Sequence, residues 1–223
     1  MSKLNIAMIP ARMGSQRLKK KNLRELDGIP LIVRAIRKCI QAEIFDEVWV
    51  NSEHKDFKKI AEQEGVFFHQ RAENLGNNST TSEQYLTEFL EYHECRNLFQ
   101  IHSIAPLLEI EDIKTFYQKM NENNYDVLLS CEKVQIECAI ADNPINFTYK
   151  TKTNSQDLKP IQKITWSISA WKRESFLNAA RKGACATYNG KVGYHPISTW
   201  AAHVIKTEED LQFAEAYLKL KKY

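Results

Sequence analysis

The sequence predicts a doubly wound α/β fold built on a mostly parallel sheet, and three observations lead to it. Short apolar runs alternate with longer segments of helical periodicity, the connections between them are short, and glycines fall where the helical segments end. Strand, helix, strand in such succession folds into a right-handed crossover, and repetition covers both faces of the sheet with helices. The 223 residues, 43% hydrophobic and 26% charged, suffice for one domain over 1–223 with a small excursion.

Asn5 to Pro10 reads as a buried central strand, ended by a proline that cannot donate the next ladder bond. The chain changes character at once. Ala11, Met13, Gly14 and Ser15 are small or flexible enough for backbone N–H groups to turn toward an anion, while Arg12, Arg17, Lys19, Lys20 and Lys21 bring positive charge. This pattern suits a triphosphate; a solvated basic turn is the plainer alternative. It is neither a Walker loop nor a dinucleotide-binding glycine motif.

Pro30 to Ala42 follows as a helix with Ile32, Ala35, Ile36, Cys39 and Ile40 on one face, and Pro30 suits its first turn. Glu47 to Asn51 is a second strand, Lys55 to Glu64 a helix closed by Gly65, and Val66 to His69 a third strand. The polar run Arg71 to Ser82 leads into a helix capped by Thr80, Thr81 or Ser82, with Tyr85, Leu86, Phe89 and Leu90 inward. Leu98 to His102 is a fourth strand, Glu109 to Asn121 an amphipathic helix and Asp126 to Cys131 a further buried strand. Open sheets of this kind bind ligands at the carboxyl ends of their strands, so the loops beginning at Ala11, Ser52, Gln70 and His102 should share one rim.

The pattern then degrades. Gln135 to Gln162 carries prolines, asparagines and a TYKTKTNS alternation that suggests a protruding hairpin, although a linker is the alternative. Regularity returns with a strand at Thr165 to Trp171, a helix from Glu174 to Lys182 closed by Gly183, a strand at Ala201 to Ile205 and a last helix from Thr207 to Lys219. Thr207 should cap that helix, with Asp210 in its first turn.

Composition narrows the function. No apolar run approaches the ~20 residues of a membrane span and no signal-peptide core is present, so a soluble, cytoplasmic protein is expected. Five widely spaced cysteines without C-x-x-C or Cys-His clusters point to reduced thiols and to no structural metal. The net charge of +3 is concentrated in the basic loop and at the last residues, which favours a small anionic substrate over nucleic acid.

IPARMGSQRLKKKNL followed by DGIPLI resembles the opening signature of the CMP-sialic acid synthetase (acylneuraminate cytidylyltransferase) family, to which CMP-Kdo synthetases are related. Matches fall at Arg12, Gly14, Ser15, Lys21, Asn22, Gly28, Pro30 and Leu31. The resemblance implies a nucleotide-diphospho-sugar transferase-like, Rossmann-like fold, CTP as one substrate and a nine-carbon keto-sugar acid or related acidic acceptor as the other. It also implies a homodimer formed through the 135–162 excursion. By the same resemblance Ala11, Arg12, Gly14, Ser15, Lys21, Asn22, Arg71 and Ser82 would bind the nucleotide, with Arg12 and Lys21 acting on the reacting phosphates. A surface arginine is the plainer reading of Arg71. His102 and Ser103, and more loosely Lys159 and Lys163, would meet the acceptor, although a histidine at a strand end is commonly structural.

The departures are as informative. A family proline becomes Ala72, an acid becomes Asn78, and a glutamine and an arginine of the sugar site become His102 and Leu108. TWSISAW stands in place of P-N-G-x-x-Y. The two metal-binding aspartates map to Val204 and Lys206, so Mg²⁺ would be held through the triphosphate, with Lys206 offering positive charge directly or simply facing solvent.

Overall fold

The computed structural model describes residues 4–221. In chain order the first elements are β1 (Asn5–Pro10), β2 (Glu25–Leu26), β3 (Ile29–Pro30), α1 (Leu31–Ala42), β4 (Glu47–Ser52), α2 (Lys55–Gln63), β5 (Phe67–Gln70), α3 (Ser82–Tyr92) and β6 (Asn97–Ile101). They are followed by α4 (Ile110–Glu122), β7 (Val127–Val134), β8 (Ala139–Ile140), β9 (Asn143–Pro144), β10 (Ile161–Lys172), α5 (Arg173–Arg181), β11 (Val192–Pro196) and α6 (Glu208–Lys221).

Seven strands form one sheet in the order β11-β7-β10-β6-β1-β4-β5. β10 alone runs against the others: it pairs antiparallel with both β6 and β7, whereas β1/β4, β1/β6, β4/β5 and β7/β11 are parallel. The chain builds outward from β1 through β4 to β5 and then returns to lay β6 on the other side of β1. The reversal makes the gap beyond the ends of β1 and β6 a topological switch point, where open α/β sheets place their ligands.

Alternation along the strands sends side chains to two cores. Ala7, Ile9, Phe99 and Ile101 face α1, α2 and α4, packing with Ile32, Ile36, Phe57, Ile113 and Phe116. Ile6, Met8, Leu98 and Leu129 face α3 and α5, packing with Leu86, Phe89, Phe176 and Leu177. Helix α6 closes a third, smaller cluster in which Leu211 and Ala214 meet Leu18, Leu26 and Leu31.

Helix ends follow local chemistry. Thr81 caps α3 in a reciprocal capping box with Gln84. Gly65 and Gly183, at φ +70° and +68°, turn the chain out of α2 and α5.

Several expectations are corrected. Ile40 is exposed rather than part of the buried face of α1. Residues 201–205 form no strand; they run as an irregular tail pinned where the Ile205 N–H donates to the Ile104 carbonyl at 2.7 Å. The edge strand β11 was not foreseen. TYKTKTNS makes only an isolated bridge between Thr148 and Thr151, and the short hairpin of the excursion is β8–β9 instead. The basic residues at the chain end run on to Lys222, which lies outside the described residues.

Candidate active site

At the switch point lies a cavity of about 200 Å³. Pro10, Ala11 and Arg12 reach it from the end of β1, Arg71 from β5, His102 from β6 and Tyr85 from α3, with Ser15, Lys21 and Asn22 across the basic loop. Three cations, Arg12, Lys21 and Arg71, line it, and among the described residues no carboxylate does. Such a lining concentrates positive potential in a concave, partly dehydrated space and selects for an anion.

Each cation is held differently. Arg71 is buried, its Nε donating to Asn51 Oδ1 at 2.6 Å and its Nη2 to the Asn51 carbonyl at 2.9 Å. Its guanidinium lies 4.3 Å from the centre of the Tyr85 ring, a cation–π contact that fixes the plane. Burial lowers its pKa, yet a guanidinium stays charged. Arg12 Nη1 donates to the Asn77 carbonyl at 3.1 Å and to Asn78 Oδ1 at 2.8 Å, tying the basic loop to the loop before α3. The Lys21 pKa is lowered first by burial and then by Arg17, Arg12 and Lys206, so several positive charges already crowd there before any ligand arrives.

Part of the loop's backbone is already engaged within the protein: Met13 N–H donates to Glu53 Oε1 at 2.8 Å, Ser15 N–H to the Met13 carbonyl and Ala11 N–H to the Asn51 carbonyl. Gly14 is exposed, and a Cβ added there would meet nothing within 4 Å, so the protein's own packing does not require a glycine.

Asn22 is a brace. Its Nδ2 donates to the Arg12 carbonyl at 3.1 Å and its Oδ1 accepts from Ser103 Oγ at 2.8 Å, in a buried contact. Ser103 is thus committed to Asn22 and does not line the cavity. His102 does line it, and burial followed by the Lys21 charge pushes its pKa down to about 4, leaving a neutral imidazole near pH 7. Leu108, where the resembled family has an arginine, is buried in the main core.

Other candidates lie apart. Ser82 begins α3 beside the Thr81 cap and is not part of the cavity wall. Lys159 is exposed in the excursion. Lys163, on β10, pairs with Glu132 at 3.0 Å and lines a second cleft together with Lys206.

A metal held by this chain is not supported by its donor set. Val204 and Lys206 supply no carboxylate, and Asp210 Oδ2 is engaged by the N–H groups of Lys206 at 2.7 Å and Thr207 at 2.9 Å. Among the described residues no three or more His, Cys, Asp or Glu side chains are grouped so as to hold an ion. Asp210 is the partner of the Thr207 cap, as the sequence indicated.

Residues that sequence reasoning passed over turn out to position those it found. Asn51 grips Arg71, and Glu53 binds the loop after β1 while its side chain packs so close to Gly76 that a Cβ there would lie 2.5 Å from Glu53 Cγ. Glu88 accepts from Ala72 N–H at 2.9 Å and steadies the segment after Arg71. Their polar character was the only available signal, Asn51 lying at the end of β4, Glu53 just past it and Glu88 within α3.

The cytidylyltransferase family model matches residues 6–212. Among curated proteins, N-acylneuraminate cytidylyltransferase A of Danio rerio is 30% identical over 125 residues, covering 56% of this chain and 29% of that protein. Pseudaminic acid cytidylyltransferase of Campylobacter jejuni is 28% identical over 193 residues, 78% of this chain and 82% of that one. The chain spans only 29% and 37% of the length of two of the fish relatives it matches. CMP:2-keto-3-deoxy-manno-octonic acid synthetase, solved with CTP, superposes with a TM-score of 0.74 at 16% identity over 98% of this chain and 99% of that one. The 4-diphosphocytidyl-2C-methyl-D-erythritol synthase of Anaerococcus prevotii superposes at 0.71 and 16% identity, over 97% of this chain and 99% of that one. At that identity the superpositions establish the fold, while the match over residues 6–212 establishes descent: the chain belongs to the cytidylyltransferase family.

Proposed function

We propose that the chain transfers CMP from CTP to an acidic keto-sugar of the sialic or pseudaminic type. The observation that carries this reading is the convergence of Arg12, Lys21 and Arg71 on one carboxylate-free cavity at the switch point. In the proposed reaction an acceptor hydroxyl oxygen bonds to the α-phosphorus, the bond from that phosphorus to the bridging oxygen breaks, and pyrophosphate departs with the electron pair. The hydroxyl proton passes to water.

Arg12 and Lys21 hold the phosphates and offset the charge that grows on the leaving group; Arg71, held by Asn51 and Tyr85, is a preset donor that need not reorganise. A divalent ion, if bound, would offset charge on the phosphates; Val204, Lys206 and the capped Asp210 would not hold it, so that task falls to Arg12 and Lys21. Neutral His102 can hydrogen-bond an acceptor but cannot add charge.

Pyrophosphate release from CTP across a panel of keto-sugar acids and phosphorylated acceptors tests the reading, and turnover with a keto-sugar acid is expected. The missing carboxylates at 204 and 206 favour one rival, a nucleotide-binding homologue that does not turn over. CTP binding without release for any acceptor would select it.

The proposed assembly is a homodimer through the 135–162 excursion, within a single domain. Ile136, Ile140, Ile145 and Tyr149 are exposed there, more apolar surface than so small a hairpin can bury alone. A monomeric mass by light scattering at high micromolar concentration would reject it. A cytoplasmic location fits the use of CTP and the five cysteines, all of them free.

A further inference from the structure

Beside the central cavity a second cleft of about 380 Å³ opens between the β7–β10 pair and the start of α6. Three features mark it. Lys206 lines it and is close enough to Lys21 for its charge to depress that lysine's pKa, so the cleft opens next to the basic loop. The negative charge of Asp210 in its wall is already engaged by two backbone amides, and Glu132 by Lys163, leaving the Lys206 ammonium as its uncommitted charge.

Part of the lining is aromatic. Trp200 stacks on Tyr217 at 4.2 Å and on Phe213 at 5.9 Å, with interplanar angles of 25° and 21°. Yet Trp200 and Phe213 remain 42% and 48% exposed, giving a firm apolar shelf with an open face. The backbone at the cleft is also strained. The β7–β10 register shifts between Ile164 and Ser169, and Trp166 sits at φ +59°, uncommon for a bulky residue. Bulges and strain of this kind gather beside functional sites, and this one sets Thr165 in the cleft wall with its hydroxyl already bonded to Ser130 at 2.9 Å.

We propose that this cleft seats the CMP acceptor, and that it selects an acidic keto-sugar whose far end is deoxygenated or acylated: the carboxylate meets Lys206, and methyl or acyl groups lie on the Trp200–Phe213 shelf. A chain of free hydroxyls on that shelf would lose water without gaining partners, whereas methyl groups gain by contact. The assignment rests on the reading of the central cavity as the CTP site.

The test separates the two. CTP affinity is measured by calorimetry, and pyrophosphate release is then followed with pseudaminic acid, which is deoxygenated and doubly acylated, and with N-acetylneuraminic acid, which carries a hydroxylated tail. The wild type should favour pseudaminic acid in kcat/KM by about tenfold or more. Trp200→Ala and Phe213→Ala should raise its KM about tenfold with kcat nearly unchanged, erase the preference and leave the CTP Kd as it was. Should either variant misfold by circular dichroism, Trp200→Leu and Phe213→Leu remove less apolar volume than alanine while still losing the flat ring, and should still weaken the preference. Equal use of both acceptors, preference for the hydroxylated one, unchanged KM in folded variants, or no turnover with either while CTP binds would overturn the acceptor assignment. Failure of the wild type to bind CTP would instead overturn the reading of the central cavity, and the acceptor assignment with it.

Discussion

Ser103 Oγ donates to Asn22 Oδ1 at 2.8 Å across a buried contact, joining the loop after β6 to the end of the basic loop. Asn22 passes the constraint on by donating to the Arg12 carbonyl at 3.1 Å. Two residues that sequence matching placed against ligands are thus joined in one brace. Ser103→Ala should leave Asn22 Oδ1 buried without a donor and cost about 1–3 kcal/mol of stability. CTP should bind more weakly as Arg12 loses its support. Urea denaturation and calorimetry read the two effects separately, and unchanged values in both would discard the brace.

The cations of the cavity should differ in what they lose. Lys21→Ala removes a charge-assisted phosphate contact, typically about 1.5–3 kcal/mol of CTP binding, with little change in fold. Arg71→Lys keeps the charge but surrenders the paired donors to Asn51 and the planar stack on Tyr85, so it should lower both stability and CTP affinity. A lysine at 71 that binds CTP as well as arginine does would show that the guanidinium geometry is irrelevant.

Acid should destabilise the fold. His102, His93 and His195 are each pushed from 6.5 to about 4, in every case first by burial, aided by Lys21, His69 and Lys119 respectively. Between those values the unfolded chain binds more protons than the folded one, so stability is full above about pH 6.5 and declines as pH falls toward 4. The urea midpoint at pH 5 should lie below that at pH 7. His195→Gln, on the edge strand β11, should flatten part of that slope. Imidazole nitrogen shifts already typical of the charged ring at pH 6 would contradict the assignment.

Magnesium should show no site of its own on the nucleotide-free protein. Titrating Mg²⁺ into it should give no heat of specific binding, because Val204, Lys206 and the capped Asp210 offer no ligand set. Lys206→Asp paired with Val204→Asp should create measurable binding, and heat in the wild type would expose ligands that lie elsewhere.

How much of this was legible depends on the kind of signal. Apolar periodicity placed β1, β4, β5, β6 and the helices between them to within a residue or two, most clearly at β1 and β6, where buried residues run almost unbroken. Direction is not encoded in periodicity, so the insertion of β10 against its neighbours had no sequence signal, and β11, with Gly193 and Pro196 in five residues, gave too little pattern to read. The apolar run 201–205 looked like a strand because its buried residues, Ala201, Ala202 and Ile205, face the interior without a ladder. In the site, the charges were visible in sequence; the residues that aim them, Asn51, Glu53 and Tyr85, were not, because an ordinary polar or aromatic residue gains a role only from what folds next to it.

The bond between Asp210 and the amides of Lys206 and Thr207 also separates the start of α6 from the charge beside it. A lone aspartate at 206 would stand beside Asp210 as a second negative charge, and an aspartate at 204 alone would spoil apolar packing against the core. Yet both donors of the cap belong to the backbone, so it holds with any side chain at 206 except proline, which lacks the N–H. The charge facing the cleft can therefore be exchanged like a cassette, without rebuilding the helix end that carries it.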